Sequence, residues 1–259
     1  MKNLMKIGSG AVLGSLALMC VSSAALAQGT SSDANIGNPV ALSTLDGSTS
    51  SNNLSVGNAS FQKFTYSNPG GFGPSDSAIN VQTLQNAPAG GTGNVGVRFT
   101  ADWDSSTGSM DTVVSYHVHL NQAVSSIGIK GVYLSFNGAA VNSSTGNAFA
   151  DVAETVQNGK TGQLLGTLYA YNGNTGTGIA NTQSSTLNLN GSYTDLILTK
   201  DIMVTATPGG NATISIVDNG FSGTNLTTGG PPPVPEPMSL ALIPLGLVGL
   251  GLRKKLARA

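Results

Sequence analysis

Apolar and polar residues alternate along much of the middle of the chain. In Asp111–Leu120 every second residue from Val114 onwards is apolar, and the residues between them are polar. A period of two residues is typical of a strand with one buried face and one solvated face. Similar patterns predict further strands over Asn94–Ala101, Ile127–Phe136 (with a bulge near Gly131), Ala148–Val156, Gln163–Tyr171, Thr186–Leu189, Asp195–Thr205 and Asn211–Val217.

These strands are short, and Gly, Asn and Ser crowd the segments between them. No stretch shows a sustained helical period. We therefore predict an all-β domain over residues 53–226, an antiparallel β-sandwich of jelly-roll-like arrangement. A split into two halves near Asn158 is the alternative. Residues 28–52 are rich in Ser, Asn and Gly and are expected to form a loosely ordered lead-in.

The segment Met1–Ala27 has the organisation of a secretory signal peptide with a signal helix. Lys2 and Lys6 are basic, Ala11–Val21 is largely apolar, and Ala25-Leu26-Ala27 gives the small-x-small pattern that signal peptidase requires. Cleavage after Ala27 makes Gln28 the new N-terminus. We expect export across the inner membrane. The single cysteine, Cys20, lies in this segment, so no disulfide is expected in the mature domain.

The C-terminal end of the chain, from Thr227 to Ala259, forms a second targeting segment. Residues 227–237 are a Pro-rich linker, expected to be stiff and extended. Met238–Leu252 is apolar apart from Ser239, and it predicts a short transmembrane helix. This span is shorter than a typical membrane-crossing helix and contains Pro and Gly, so it suits a temporary membrane anchor rather than a permanent one. The basic residues that follow would stay on the cytoplasmic side; they are Arg253, Lys254, Lys255 and Arg258.

The order of motifs at this end resembles the PEP-CTERM sorting signal of Gram-negative bacteria that make extracellular polysaccharide. The motif residues are Val234, Pro235, Glu236 and Pro237, and the resemblance extends from Val234 to Ala259. It implies an exosortase as processing partner, cleavage near the motif, and final location on the outer surface or in the extracellular matrix. An ordinary C-terminal anchor with a Pro-rich stalk is the alternative.

Charge is distributed unevenly along the chain. Between residues 28 and 234 there are five basic and eleven acidic residues, a net charge of −6. Binding to nucleic acid requires clustered Lys and Arg to neutralise phosphates. The acidic middle of the chain therefore argues against a nucleic-acid partner.

Two groups of residues could hold a metal ion. Asp102, Asp104 and Asp111 flank a Gly turn and could bind Ca²⁺ through oxygen ligands, although the segment departs from the EF-hand pattern. His117 and His119 share one strand face and could bind Zn²⁺ if an acid such as Asp111 supplied a third ligand. An acidic loop and a solvated strand face are the alternatives, and no other cofactor is expected.

The chain offers little for catalysis. It has no Gly-x-Ser-x-Gly elbow, and Glu154 is the only Glu of the predicted domain. No catalytic residues are assigned, and we do not expect an enzyme. Two hypotheses stay open: a structural or adhesive surface protein associated with biofilm polysaccharide, and a carbohydrate- or calcium-binding module that uses the Asp102–Asp111 loop. Trp103, if exposed, could stack on a sugar; a partly buried core position is the alternative. A secreted hydrolase is a more distant third.

Overall fold

Thirteen strands account for most of the chain that the structure, a computed structural model, describes: residues 34–35, 37–47, 53–85, 94–121, 128–142, 146–173 and 181–226. The strands are β1 (Ala34–Asn35), β2 (Val40–Ala41), β3 (Leu54–Val56), β4 (Ala59–Ser67), β5 (Asn80–Gln85), β6 (Val95–Ser105), β7 (Gly108–Leu120), β8 (Gly128–Val141), β9 (Ala148–Asn158), β10 (Leu164–Gly173), β11 (Ser184–Tyr193), β12 (Asp195–Ala206) and β13 (Asn211–Thr224). The helical elements are α1 (Leu42–Leu45) and a 3-10 turn, Asp76–Ala78.

The strands form two sheets, and all pairings between them are antiparallel. The first sheet has seven strands in the order β1-β5-β6-β13-β8-β11, with β2 also paired to β5. The second has six strands in the order β10-β9-β12-β7-β4-β3. The predicted all-β antiparallel sandwich is confirmed.

The core lies between the inner faces of the two sheets. On β7 the four apolar residues of the predicted alternation are all buried, as expected: Val114, Tyr116, Val118 and Leu120. Aromatic rings fill the centre, where Phe64 stacks on Tyr116 with ring centroids 5.3 Å apart and Phe99 lies 5.6 Å from the same ring. Burial of such rings is the main force that holds two sheets together.

The predicted bulge on β8 is confirmed. Pairing with β13 passes from Ser222 opposite Gly131 to Gly223 opposite Ile129, so Lys130 is an extra residue. The insertion lets Ile129 and Val132, three positions apart, both point into the core.

Part of the predicted lead-in packs against the sandwich. Leu42 and Leu45 of α1 are buried in the core, and the Leu42 N–H donates to Ile79 O at 2.8 Å. This packing was not foreseen from the composition of the segment.

The two targeting segments lie outside the described residues. These include the signal helix with Ala25, Ala27 and Gln28, the sorting motif, and the apolar and basic tail. Within the described ranges, no helix has the length and apolar character needed to span a bilayer.

Candidate functional site

A row of side chains crosses the outer face of the second sheet. Strand register places Tyr171, Asp151, Met203 and Asp111 side by side on β10, β9, β12 and β7. The next row of the same register contains Tyr169 and Asp201. These positions alternate with the core residues of each strand, so their side chains point away from the core. We call Phe149, Tyr169, Tyr171, Asp111, Asp151 and Asp201 the acid–aromatic face.

Three aromatic rings form a contiguous surface on this face. The Tyr169 and Tyr171 ring centroids are 5.4 Å apart, and those of Tyr171 and Phe149 are 6.3 Å apart with the planes tilted by 27°. Tyr169 is 46% exposed, which is unusual for a large aromatic residue in the middle of a strand. An exposed ring supported by neighbouring rings is a rigid platform for a flat apolar ligand surface.

Two carboxyl groups of the face, those of Asp151 and Asp201, have raised pKa values. Burial, with the nearby charge of Asp201, raises the pKa of Asp151 to about 6. Burial, with a hydrogen bond to Asp111, raises the pKa of Asp201 to about 6. Burial and Asp151 raise the pKa of Tyr169 to about 12, so its hydroxyl stays protonated at neutral pH. The site therefore disfavours further negative charge.

One oxygen each of Asp111 and Asp151 (Oδ1 in both) is buried without a hydrogen-bond partner among the described residues. Buried polar atoms usually have a partner. These two oxygens could accept hydrogen bonds from the hydroxyl groups of a ligand that displaced a neighbouring side chain.

A row of hydroxyl side chains lies beside the acid–aromatic face. The register aligns Thr167, Thr155, Thr199, Ser115 and Thr65 across five strands. Ser115 and Thr199 are hydrogen-bonded at 3.0 Å. Because neighbouring strands are about 4.8 Å apart, the row repeats donors and acceptors at that spacing.

The predicted calcium ligands lie on different sheets. Asp102 and Asp104 are exposed on β6 of the first sheet, whereas Asp111 is on the outer face of the second sheet. Among the described residues there is no group of three His, Cys, Asp or Glu side chains that could hold a metal ion.

His117 and His119 do share one face, as their spacing predicted. The acid beside them is Asp195 rather than Asp111: its carboxylate lies 3.6 Å from His117 Nδ1 and 3.9 Å from His119 Nδ1. Burial, with the nearby charge of Lys63, lowers the pKa of His117 despite Asp195. A neutral His117 is therefore favoured.

Trp103 does not offer a stacking surface. It is fully buried, and its indole Nε1 donates to Thr112 Oγ1 at 2.9 Å. The hypothesis that this tryptophan contacts sugar is wrong, because the ring belongs to the core.

The residues of the acid–aromatic face were not selected by sequence reasoning, apart from Asp111. The available signal was the alternation along the strand, since Tyr169 and Tyr171 alternate with the core positions Leu168 and Ala170. Three acids and three aromatics at outward positions would have indicated a candidate site on this face.

Comparison with known proteins gives little further information. No family model matches the chain, and no curated protein does. The chain is similar to the enzymatically active domain of tailspike protein 4 of bacteriophage CBA120 (14% identity, TM-score 0.23), covering 60% of this chain and 19% of that one. It is similar to a carbohydrate-binding module of the β-sandwich superfamily (10% identity, TM-score 0.23; 59% and 54%).

A third structure with some similarity is a family 12 xyloglucanase from Bacillus licheniformis, at 12% identity and a TM-score of 0.15, covering 59% of this chain and 96% of that one. The chain thus spans about a fifth of the first structure's length and about half of the second's. At TM-scores this low the likenesses do not bear on the function of this chain.

Proposed function

We propose that this protein is an exported structural or adhesive module that binds polysaccharide through the acid–aromatic face. The observation that carries the proposal is the exposed Tyr169 ring, which lies 5.4 Å from the Tyr171 ring between centroids, on the same sheet face as Asp151. Sugar rings have apolar C–H faces and polar hydroxyl edges. Aromatic rings bordered by carboxylates match both properties at once.

The ligand we infer is a neutral, hydroxyl-rich polysaccharide. The middle of the chain carries a net charge of −6, and three of its acids lie on the binding face. An anionic polymer would bring further negative charge to a site where burial and like charges already oppose it. The row of Thr and Ser hydroxyls extends the polar surface along which a sugar chain could lie.

We infer that the sandwich is a jelly roll. The order β6-β13-β8-β11 in one sheet and β7-β12-β9-β10 in the other is that of eight strands wound as two Greek keys. In this arrangement the outer face of the second sheet is a broad continuous surface, suited to a long ligand. A binding role also needs no catalytic group, and none is proposed.

In our proposal this activity lies outside the cell. The signal peptide would direct export, and the PEP-CTERM-like tail would hold the protein at the membrane until an exosortase released it to the surface or the matrix. Extracellular polysaccharide is then the ligand that the protein meets where it is delivered.

Affinity electrophoresis tests the binding proposal. Migration of the mature protein should be retarded by a neutral polysaccharide, hydroxyethylcellulose, and not by the anionic polymer alginate. Tyr169→Ala and Tyr171→Ala should each weaken retardation about tenfold, the equivalent of about 1.4 kcal/mol of lost stacking. Phe72→Ala is the matched control, because Phe72 is 73% exposed but lies in the segment between β4 and β5. Equal retardation of all four proteins, or none, would contradict the proposal.

A further inference from the structure

The core contains a polar cluster that the binding proposal does not use. Lys200 on β12 lies directly opposite Glu154 on β9, and both side chains are completely buried. Asn219, on β13 of the other sheet, is also fully buried. Three polar residues thus meet midway between the sheets, each on a strand inside its sheet rather than at an edge.

Glu154 bridges the other two residues. Its Oε2 is in hydrogen-bond contact with Lys200 Nζ, and its Oε1 accepts a hydrogen bond from Asn219 Nδ2 at 3.0 Å. Asn219 Nδ2 also donates to Tyr133 O at 2.9 Å. On the opposite side of the amide, the Tyr116 hydroxyl donates to Asn219 Oδ1 at 2.5 Å. The amide of Asn219 is therefore held at both of its ends.

Aromatic rings keep water away from the cluster. Lys200 Nζ lies 5.3 Å from the centroid of the Tyr116 ring and 5.9 Å from that of Phe99. Burial lowers the pKa of Lys200 and raises the pKa of Glu154, in each case against the opposing effect of the partner. Both shifts favour an uncharged amine beside an uncharged carboxylic acid, and an uncharged amine is a nucleophile.

We propose that Lys200 and Asn219 become joined by an intramolecular isopeptide bond, formed by attack of the Lys200 amine on the side-chain amide of Asn219. The bond links β12 of the second sheet to β13 of the first. This inference concerns the core and does not depend on the acid–aromatic face.

The reaction balances without any further reactant. The bond between Lys200 Nζ and Asn219 Cγ forms, and the bond between Asn219 Cγ and Nδ2 breaks. Glu154, protonated at the start, delivers its proton to Nδ2, which leaves as ammonia, and takes up the proton that Nζ loses, so Glu154 ends in its starting state. The Tyr116 hydroxyl stabilises the negative charge that develops on Oδ1 in the tetrahedral intermediate.

Peptide mapping of the purified mature protein tests the bond directly. Cleavage before Asp residues should release 201–217 and leave a branched peptide, in which 195–200 is attached to the segment that begins at Asp218. Its mass should be that of both peptides minus one ammonia. Intact mass alone does not suffice, because an N-terminal Gln28 would cyclise with loss of the same mass.

Variants then separate the bond from simple packing. Glu154→Gln keeps the size and hydrogen bonding of the side chain but cannot shuttle a proton, so the branched peptide should disappear. Lys130→Met, an exposed lysine on β8, should leave it at the wild-type level. A branch that lacks one water and contains residue 154 would assign the partner to Glu154 instead of Asn219, and overturn the proposal. Two separate unmodified peptides from the wild-type protein would also overturn it, whatever the variants do.

Discussion

At the scale of single residues, the acidic side chains of the acid–aromatic face make stability depend on pH. The pKa values of Asp151 and Asp201 are each about 6, against an ordinary value of 3.8. At pH values between the ordinary and the raised pKa, the folded protein binds more protons than the unfolded chain. The contribution of these groups to stability is therefore greatest at low pH and is lost as pH rises from about 4 to 6.

Asp201→Asn tests this sign. The variant removes one carboxyl group with a raised pKa, and with it the charge that helps to raise the pKa of its neighbour Asp151. Its melting temperature relative to that of the wild-type protein should therefore rise as pH increases from 4 to 7. Thermal melts at several pH values measure the difference. Thr199→Ala removes a neighbouring uncharged side chain, and its difference from wild type should not change with pH. A constant difference for Asp201→Asn would show that the carboxyl groups do not interact as described.

Strand alternation places the charged residues of the buried cluster at core positions, but it does not show which residues they contact. Lys200 falls on the core side of its strand, between Leu198 and Ile202, and Glu154 falls between Val152 and Val156. Charged residues at core positions indicate that a partner is required. The partner of each residue depends on the register of β12 with β9 and on which residues of the two sheets lie opposite each other. Neither can be deduced from the sequence of a single strand.

At the scale of strands, alternation predicted β8 together with its bulge but did not predict β4, where a bulge falls between two core residues. β4 was not predicted, because Phe61 and Phe64 are three positions apart and yet both are fully buried. Lys63, with φ of 55°, lies between them at the point where pairing with β7 shifts register. The extra residue makes the Phe64 side chain point into the core. The apolar positions of β4 therefore do not follow a period of two residues.

A bulge on β13 makes Gly138 of β8 a sensitive position. Opposite β8, Ser215 is an extra residue between Ile214 and Ile216, and a Cβ on Gly138 would lie 2.4 Å from Thr213 O. Because backbone cannot move aside cheaply, we expect Gly138→Ala to lower the free energy of unfolding by about 1–3 kcal/mol.

Urea unfolding followed by Trp103 fluorescence measures this loss, since the buried ring reports on the core. Gly70→Ala is the matched control: its Cβ would meet only the exposed side chain of Phe72, at 3.3 Å, and should cost much less. Equal destabilisation by the two substitutions would contradict the close approach at the bulge.

At the scale of the whole molecule, we assign binding to the sandwich and delivery to the tail. The sandwich was predictable from strand parity and turn composition, whereas the acid–aromatic face was not, because its rows exist only once β10, β9, β12 and β7 are in register. The proposed role of the tail, delivery of the protein to the cell surface or the matrix, rests on the sequence alone.

Cell fractionation tests that proposal. Removal of residues 234–259 should shift the protein from the envelope to the culture medium, because the apolar membrane anchor and the sorting motif are both lost. Substitution of Arg253, Lys254 and Lys255 by Ser is a smaller change that should weaken retention while leaving the motif intact. If the full-length and shortened proteins distribute equally and the full-length C-terminus is not cut, the sorting hypothesis is wrong.

Hydroxyl-radical footprinting of the wild-type protein, with and without hydroxyethylcellulose, is a direct test of polysaccharide binding at the acid–aromatic face. The two most informative rings, Tyr169 at 46% and Phe72 at 73% exposure, both react with radicals in the free protein and are read out in one digest. We expect the polysaccharide to lower oxidation of Tyr169 several-fold and to leave oxidation of Phe72 unchanged. Oxidation of Tyr169 that is unaffected at saturating polysaccharide, or protection of Phe72 instead, would contradict binding at the acid–aromatic face.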